Sequence, residues 1–313
     1  MTGRRGQVAG SLALVVLLAV ACSTPATRGT QVKIHFADQT AYGSPGPSAG
    51  QQRSCLAAPS SCGFPDATNV GVRPGRVLRV VRGDVHTTKD GQVVAGLDIR
   101  GTLFVDHSGV VVEDVKVTGA GGSSWAVQIG RDRPVRDVVV QDCTVDGGSS
   151  DQGGVLGGAR SSWALVNCDV SNSENAVRAS GNARIQSNYL HAFASTSRAA
   201  HYDGVEIYEG DGTTVVHNTI VLDRAETSTV NVQATFGRIS RTRLEANLLD
   251  GGGWQLNVRT LDGPVVGTDV VGNRFGRAAV WGLAALDDAS VNEIRGNVDD
   301  LSGKSVDPVL DRR

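Results

Sequence analysis

One short phrase recurs through most of this chain, and it constrains the fold more than any other feature. A few alternating apolar residues are followed by two or three polar ones, a small or amide residue, and another apolar residue. It reads VVVEDVKV, VVVQDCTV, ALVNCDV, ARIQSNYL, TVVHNTI, TRLEANLL, DVVGNRF and NEIRGNV, with Val115, Cys143, Cys168, Asn188, Asn218, Asn247, Asn273 and Asn297 at the turn position. Successive spacings are 28, 25, 20, 30, 29, 26 and 24 residues. A constant phrase on a variable period is the mark of a coil in which each turn has fixed strands and elastic loops.

The asparagines have a physical role in such a coil. Parallel strands stacked turn on turn place equivalent residues about 4.8 Å apart. Stacked Asn side chains can then hydrogen-bond along the stack as a ladder, and Asn tolerates the left-handed backbone of a sharp bend. Cys143 and Cys168 occupy consecutive ladder positions, so they are expected to be stacked neighbours, either as a disulfide or as two buried thiols. A second strand precedes each phrase: WAVQI, GGVLG, NAVRA, DGVEI, TVNVQ, WQLNV and WGLAA. Its inward residues are read as Val127, Val155, Val177, Val205, Val230, Leu256 and Leu283. The expected fold is all-β, a single-stranded right-handed parallel β-helix of about seven to nine turns, because parallel strands cannot be joined by two-residue hairpins.

The N-terminus reads as an export signal. Arg4 and Arg5 precede an apolar run, Ser11 to Ala21, that is too short for an ordinary membrane span and ends in small residues before Cys22. This layout resembles a bacterial lipoprotein signal, with Ala19 where Leu is usual. The resemblance implies acylation of Cys22 and a protein held on the outer face of the cell membrane; cleavage of a plain secretory signal is the alternative. Residues 22–54, rich in Ser, Thr, Gly, Pro and Gln, read as a tether. Residues 55–100 are expected to form an N-terminal cap and first turn, 101–300 the β-helix and 301–313 a tail. Cys55 and Cys62, seven apart in an oxidising compartment, are expected to pair. Without residues 1–21 the chain carries 28 basic and 32 acidic residues. That balance speaks against nucleic-acid binding, and any anion recognition must come from a local cluster.

The stretch FPDATNVGV…GLDIRGTLFVDHSGVVVEDVKVTG resembles the start of actinobacterial right-handed parallel β-helix proteins. The following turns resemble the pectin-lyase-like superfamily, over roughly residues 62–300. The resemblance implies fold. The superfamily includes pectate and alginate lyases, polygalacturonases, uronan epimerases and tailspikes, among which fold alone does not select.

Chemistry is expected on the outward positions of the second strand: Gln128, Leu156, Arg178, Glu206, Asn231, Asn257 and Ala284, then Gly130, Gly158, Ser180, Tyr208, Gln233, Arg259 and Leu286. Gln128, Asn231, Gln233, Asn257 and Arg259 form a polar row suited to the hydroxyls of a sugar chain, although a solvated sheet face is polar too. The densest cluster, HYDGVEIYEGDG, supplies His201, Tyr202, Asp203, Glu206, Tyr208, Glu209 and Asp211. It resembles an H-x-D-G-hydrophobic segment of bacterial β-helix proteins, and matches the NTDG segment of polygalacturonases only at Asp203-Gly204. The aspartate pair of that family has no counterpart in the next turn, which reads STVNVQA. Asp203 also suits a turn hydrogen bond, and Glu206 beside Arg178 a surface ion pair.

Three readings follow. A uronan lyase or epimerase would use Arg178, Asn231 or Arg259 to neutralise a carboxylate, His201 oriented by Asp203 as base, and Tyr208 or Tyr202 as acid. A glycoside hydrolase would use two of Asp203, Glu206 and Glu209. A non-catalytic surface protein would bind a polysaccharide or cell-wall glycan through the same row. No cofactor is expected, although the four acids of the cluster offer oxygens for Ca²⁺. The protein is expected to be a monomer.

Overall fold

A computed structural model describes residues 54–287 and 289–310. The signal, Cys22 and nearly all of the tether lie outside the described residues. The described chain is a parallel β-solenoid of about eight turns. One long sheet winds through the stack, and a small three-stranded sheet, Gly210–Asp211, Ile239–Ser240 and Val265–Val266, edges it.

The register follows the recurring phrase. Val140, Leu165, Ile185, Val215, Leu244 and Val270 stack in one column, all with no exposed surface. Val127, Val155, Val177, Val205, Val230 and Leu256 form the facing column. The last turn departs by one residue: Ala284, not Leu283, lies under Leu256, and Ala285 rather than Ala284 lies under Asn257. The reason is that Gly282, not Trp281, pairs with Trp254. Leu286 accordingly pairs with Val258 and does not belong to the row of Arg259.

The asparagine ladder runs unbroken through five turns. Each Nδ2 donates to the Oδ1 of the next Asn: Asn188 to Asn218 at 2.9 Å, then Asn218 to Asn247, Asn247 to Asn273 and Asn273 to Asn297 at 3.0 Å. Each Oδ1 also accepts the backbone N–H of the preceding ladder residue, from Cys168 at 2.9 Å downwards. The left-handed residue of the bend is not the Asn. It is the position before: Asp114, Asp142, Asn167, Ser187, His217 and Ala246 have φ between 49° and 56°, and Gly272 and Gly296 take the same place. Bending one residue early turns the Asn side chain inward, where its amide replaces the missing strand hydrogen bonds. The ladder ends on Asp307, whose Oδ1 accepts Asn297 Nδ2 at 2.8 Å and Asn297 N–H at 3.0 Å.

Cys143 and Cys168 do stack above the ladder, but as two buried free thiols, which corrects the disulfide alternative. Each turns its sulfur to a carbonyl of its own bend, Gln141 at 3.0 Å and Val166 at 3.3 Å. Burial pushes the Cys168 thiol well above its usual range, with the neighbouring Cys143 adding to it. Cys55 and Cys62 form the expected disulfide.

Residues 54–73 are not a cap over the first turn. They run as a strap along the outside of the stack, from its last turn back towards its first. Asp300 accepts the backbone N–H groups of Cys55 (3.1 Å) and Leu56 (3.2 Å). Phe64 stacks on His217 with centroids 5.4 Å apart. Gly71 N–H donates to Asn167 O at 2.9 Å, Val72 N–H to Thr144 Oγ1 at 3.1 Å, and Arg73 Nε to Asp114 at 2.8 Å. Only at Arg79–Arg82 does the chain enter the stack.

Candidate functional site

The strand Asp203–Ile207 lies between Asn175–Ala179 of the turn above and Ser228–Gln233 of the turn below. Arg178, Glu206, Asn231 and Asn257 are in register, as the repeat predicts. Arg178 Nε donates to Glu206 Oε1 at 2.6 Å. The Tyr208 hydroxyl donates to the same carboxylate. Asn231 Nδ2 donates to Asp203 Oδ2 at 3.3 Å, and Asn257 Nδ2 to Asn231 Oδ1 at 3.0 Å. The network thus has two hydrogen-bonded halves, Arg178 and Tyr208 on Glu206 and Asn257 through Asn231 on Asp203, which adjoin where Glu206 and Asn231 pair in register.

The network is not an open groove. Asp203 and Glu206 are each only 1% exposed, Gln128 2% and Asn231 4%. Aromatic rings surround its Arg178 end. The Arg178 guanidinium carbon lies 5.0 Å from the Trp125 ring centre, 5.2 Å from Tyr208 and 5.7 Å from Phe236. Trp125 reaches Arg178 from two turns away because Gly153 lies between them: a Cβ there would sit 2.0 Å from the indole. Phe236 comes from the loop after Gln233, meets Tyr208 edge-on at 5.3 Å, and keeps its outer face in solvent.

Burial sets the electrostatics. It raises the Asp203 pKa well above the usual carboxylate range, with the Glu206 charge adding to it and the Asn231 and Thr227 hydrogen bonds opposing. Burial raises Glu206 too, outweighing the opposing pull of Arg178. Tyr208 is also pushed up, by burial and then by the Glu206 charge. The cluster therefore favours a protonated Asp203 beside a Glu206 paired to Arg178.

A consequence can be measured. A carboxyl whose folded pKa is raised stabilises the fold at and below the ordinary aspartate range, and that stability is lost as pH climbs towards the folded pKa. Asp203→Asn keeps a neutral acceptor for Ser228 N–H, which now reaches Asp203 Oδ1 at 3.2 Å. As pH rises above about 4, urea unfolding should show the parent losing stability more steeply than the variant, in which only Glu206 still contributes. An identical slope in both proteins would refute the buried protonated carboxyl.

His201 does not join this network. Its ring is solvent-exposed and, among the described residues, hydrogen-bonds none of Arg178, Asp203, Glu206 and Tyr208. Its backbone N–H donates to Glu174 Oε1 at 2.9 Å, while Glu174 Oε2 accepts Ser195 Oγ at 3.0 Å. Glu174, which the repeat does not single out, thereby pins both ends of the loop. Tyr202 is buried, with the Arg224 guanidinium 5.5 Å from its ring. Asp203 bridges successive turns and does not orient His201: its own N–H donates to Asn175 Oδ1 at 3.0 Å.

The remaining row residues divide. Gln128 is buried and accepts Arg131 Nη1 at 2.9 Å. Gln233 and Arg259 are paired on adjacent turns and partly exposed, with Gln233 Nε2 donating to Asp262 at 2.6 Å. Asp211 forms an ion pair with Arg241, away from Asp203 and Glu206. Among the described residues no three His, Cys, Asp or Glu side chains gather as a metal site. Trp281 is 55% exposed and meets Trp254 edge-on at 6.2 Å, one residue out of register with the strand entry.

No family model, curated protein or solved structure matches the chain. The functional reading therefore rests on the site itself.

Proposed function

We propose that this protein is a non-catalytic glycan-binding surface protein, exported and tethered through Cys22, with a solenoid of the pectin-lyase-like type. The observation that carries this reading is the sealing of the two carboxyl groups. Asp203 and Glu206 are buried, and the Arg178 paired to Glu206 is ringed by Trp125, Tyr208 and Phe236, while His201 is exposed to solvent. Proton abstraction and hydrolysis both need such groups within reach of a substrate atom. Around this closed centre, Tyr208, Gln233 and Arg259 occupy equivalent outward places on successive turns, about 4.8 Å apart, and Phe236 stands beside them, 59% exposed. An aromatic face flanked by an amide and a guanidinium suits a sugar, which offers an apolar ring face and a rim of hydroxyls. A uronan would add a carboxylate for Arg259.

Affinity electrophoresis against a panel of uronans and cell-wall glycans, with product assays on the same mixtures, tests this. At least one glycan should retard the protein without yielding an unsaturated uronide or new reducing ends. Phe236→Ala should abolish retardation, and His201→Ala should leave it unchanged. An ultraviolet-absorbing product lost in His201→Ala would establish elimination and overturn the binding-only reading. New reducing ends would establish hydrolysis.

A further inference from the structure

The two poles of the solenoid are finished differently. At the last turn the chain folds back: Val306 N–H donates to Asn297 O at 2.9 Å, Asp307 caps the ladder, and Val306 and Leu310 are buried. At the first turn nothing among the described residues pairs the outer edge. Arg79–Arg82 pairs only with the strand Val93–Arg100, and Val85–His86 only with Leu103–Val105. The leading half of Val93–Arg100 pairs only with Val111–Thr118 below it.

This edge is apolar and basic together. Val77 is 93% exposed, Val93 58% and Val80 47%. Arg79 and Arg82 are exposed, and neither side chain forms a hydrogen bond or ion pair among the described residues. Arg82 stands directly over Arg100 in the register, and Arg100 has only Asp98, at 3.4 Å. Like charges on adjacent strands repel. The next acid along the chain, Asp84, is engaged by Thr102 N–H at 2.8 Å. Gly83 N–H donates inward to Arg100 O at 2.9 Å. Because alternate residues of a parallel strand share one side, Val80 and Arg82 present their N–H and C=O groups outward.

We propose that this open edge docks an extended acidic segment of another protein, which adds to Arg79–Arg82 as one more strand. Charge selects that occupant. A second copy pairing edge to edge would gather the Arg79 and Arg82 of both copies along one short strand pair, an unfavourable concentration of like charge. Head-to-tail stacking is blocked by residues 301–310 over the other pole. The chain's own apolar patch, Val32 to Phe36, carries Lys33 and His35 and no acid to answer either arginine. A polyanionic sugar would answer the arginines but leave the valines and the outward N–H groups unmatched. Arg79 and Arg82, three residues apart, lie on opposite faces of the strand, so a strand with acids three residues apart and apolar residues between them answers all three features.

The test uses the full chain and a labelled peptide that repeats Glu-Val-Val, read by fluorescence anisotropy. Saturable binding is expected, with none for a lysine–valine peptide. Arg79→Glu/Arg82→Glu should weaken it by at least about tenfold. Val80→Pro removes only an outward N–H on an edge strand and should weaken it comparably while circular dichroism and unfolding stay unchanged. Failure of the intact chain to bind the glutamate–valine peptide overturns the proposal. Binding of dextran sulfate with equal strength, together with indifference of both ligands to Val80→Pro, also overturns it and makes the pole a polyanion surface.

Discussion

Asn218→Leu will cost the solenoid roughly 2–4 kcal/mol, from the loss of a central rung of buried hydrogen bonds. Leucine has nearly the same shape, so little of that cost comes from packing. Asn218 Oδ1 accepts both Asn188 N–H and Asn188 Nδ2, each at 2.9 Å, and its Nδ2 donates to Ile185 O at 2.9 Å. The residue has no exposed surface, so water cannot replace these partners. The Asn188 backbone N–H is left buried and unanswered, the most expensive outcome for a polar group. Urea unfolding followed by circular dichroism would measure the shift. A loss under about 1 kcal/mol would mean that the ladder orders the bends without holding them.

Glu206→Ala should destabilise the fold by about 3 kcal/mol, because breaking a buried pair from one side strands the other charge. The figure is taken from the lower end because the Arg178 side chain keeps 20% of its surface, and solvent screens part of its charge. Arg178 would remain beneath Trp125, Tyr208 and Phe236 with its carboxylate gone. The double replacement Arg178→Met/Glu206→Leu removes both charges and fills similar volume, so it should recover most of the loss. A double variant as unstable as Glu206→Ala would show that the rings and hydrogen bonds around the pair matter more than the charges.

Much of the fold is legible in the sequence because one physical demand repeats in every turn. Each bend needs an inward group to answer backbone hydrogen bonds, and from Asn188 to Asn297 the answer is always Asn. Register could therefore be read residue by residue. It slipped only in the last turn, where matching Trp281 to Trp254 by identity displaced a strand that begins at Gly282. The covering of the site was not legible. The outward row is polar in sequence, yet Trp125 reaches it across Gly153, and Phe236 arrives from a loop of no fixed length. Exposure is a property of what lies above a residue, and strand periodicity carries no such information. The direction of the His201 ring and the Glu174 contacts that fix its loop are missing for the same reason. Residues 54–73 were illegible because their contacts come one at a time, without a period.

The strap changes how the molecule must fold. A solenoid of nearest-neighbour turns can zip from any point and fray from either end. Here Cys55 hydrogen-bonds Asp300, 245 residues away in sequence, and Arg73 reaches Asp114 near the other end. The same short segment therefore makes contacts of high and low sequence separation at once, raising the contact order of an otherwise local topology. It leaves the ribosome before any of the turns on which it rests. It must wait, undocked, until the Asp300 turn exists, and its docking then links the fraying of the last turn to the integrity of the second. The segment made first is the last to find its place, and with it a one-dimensional array gains the cooperativity of a closed domain.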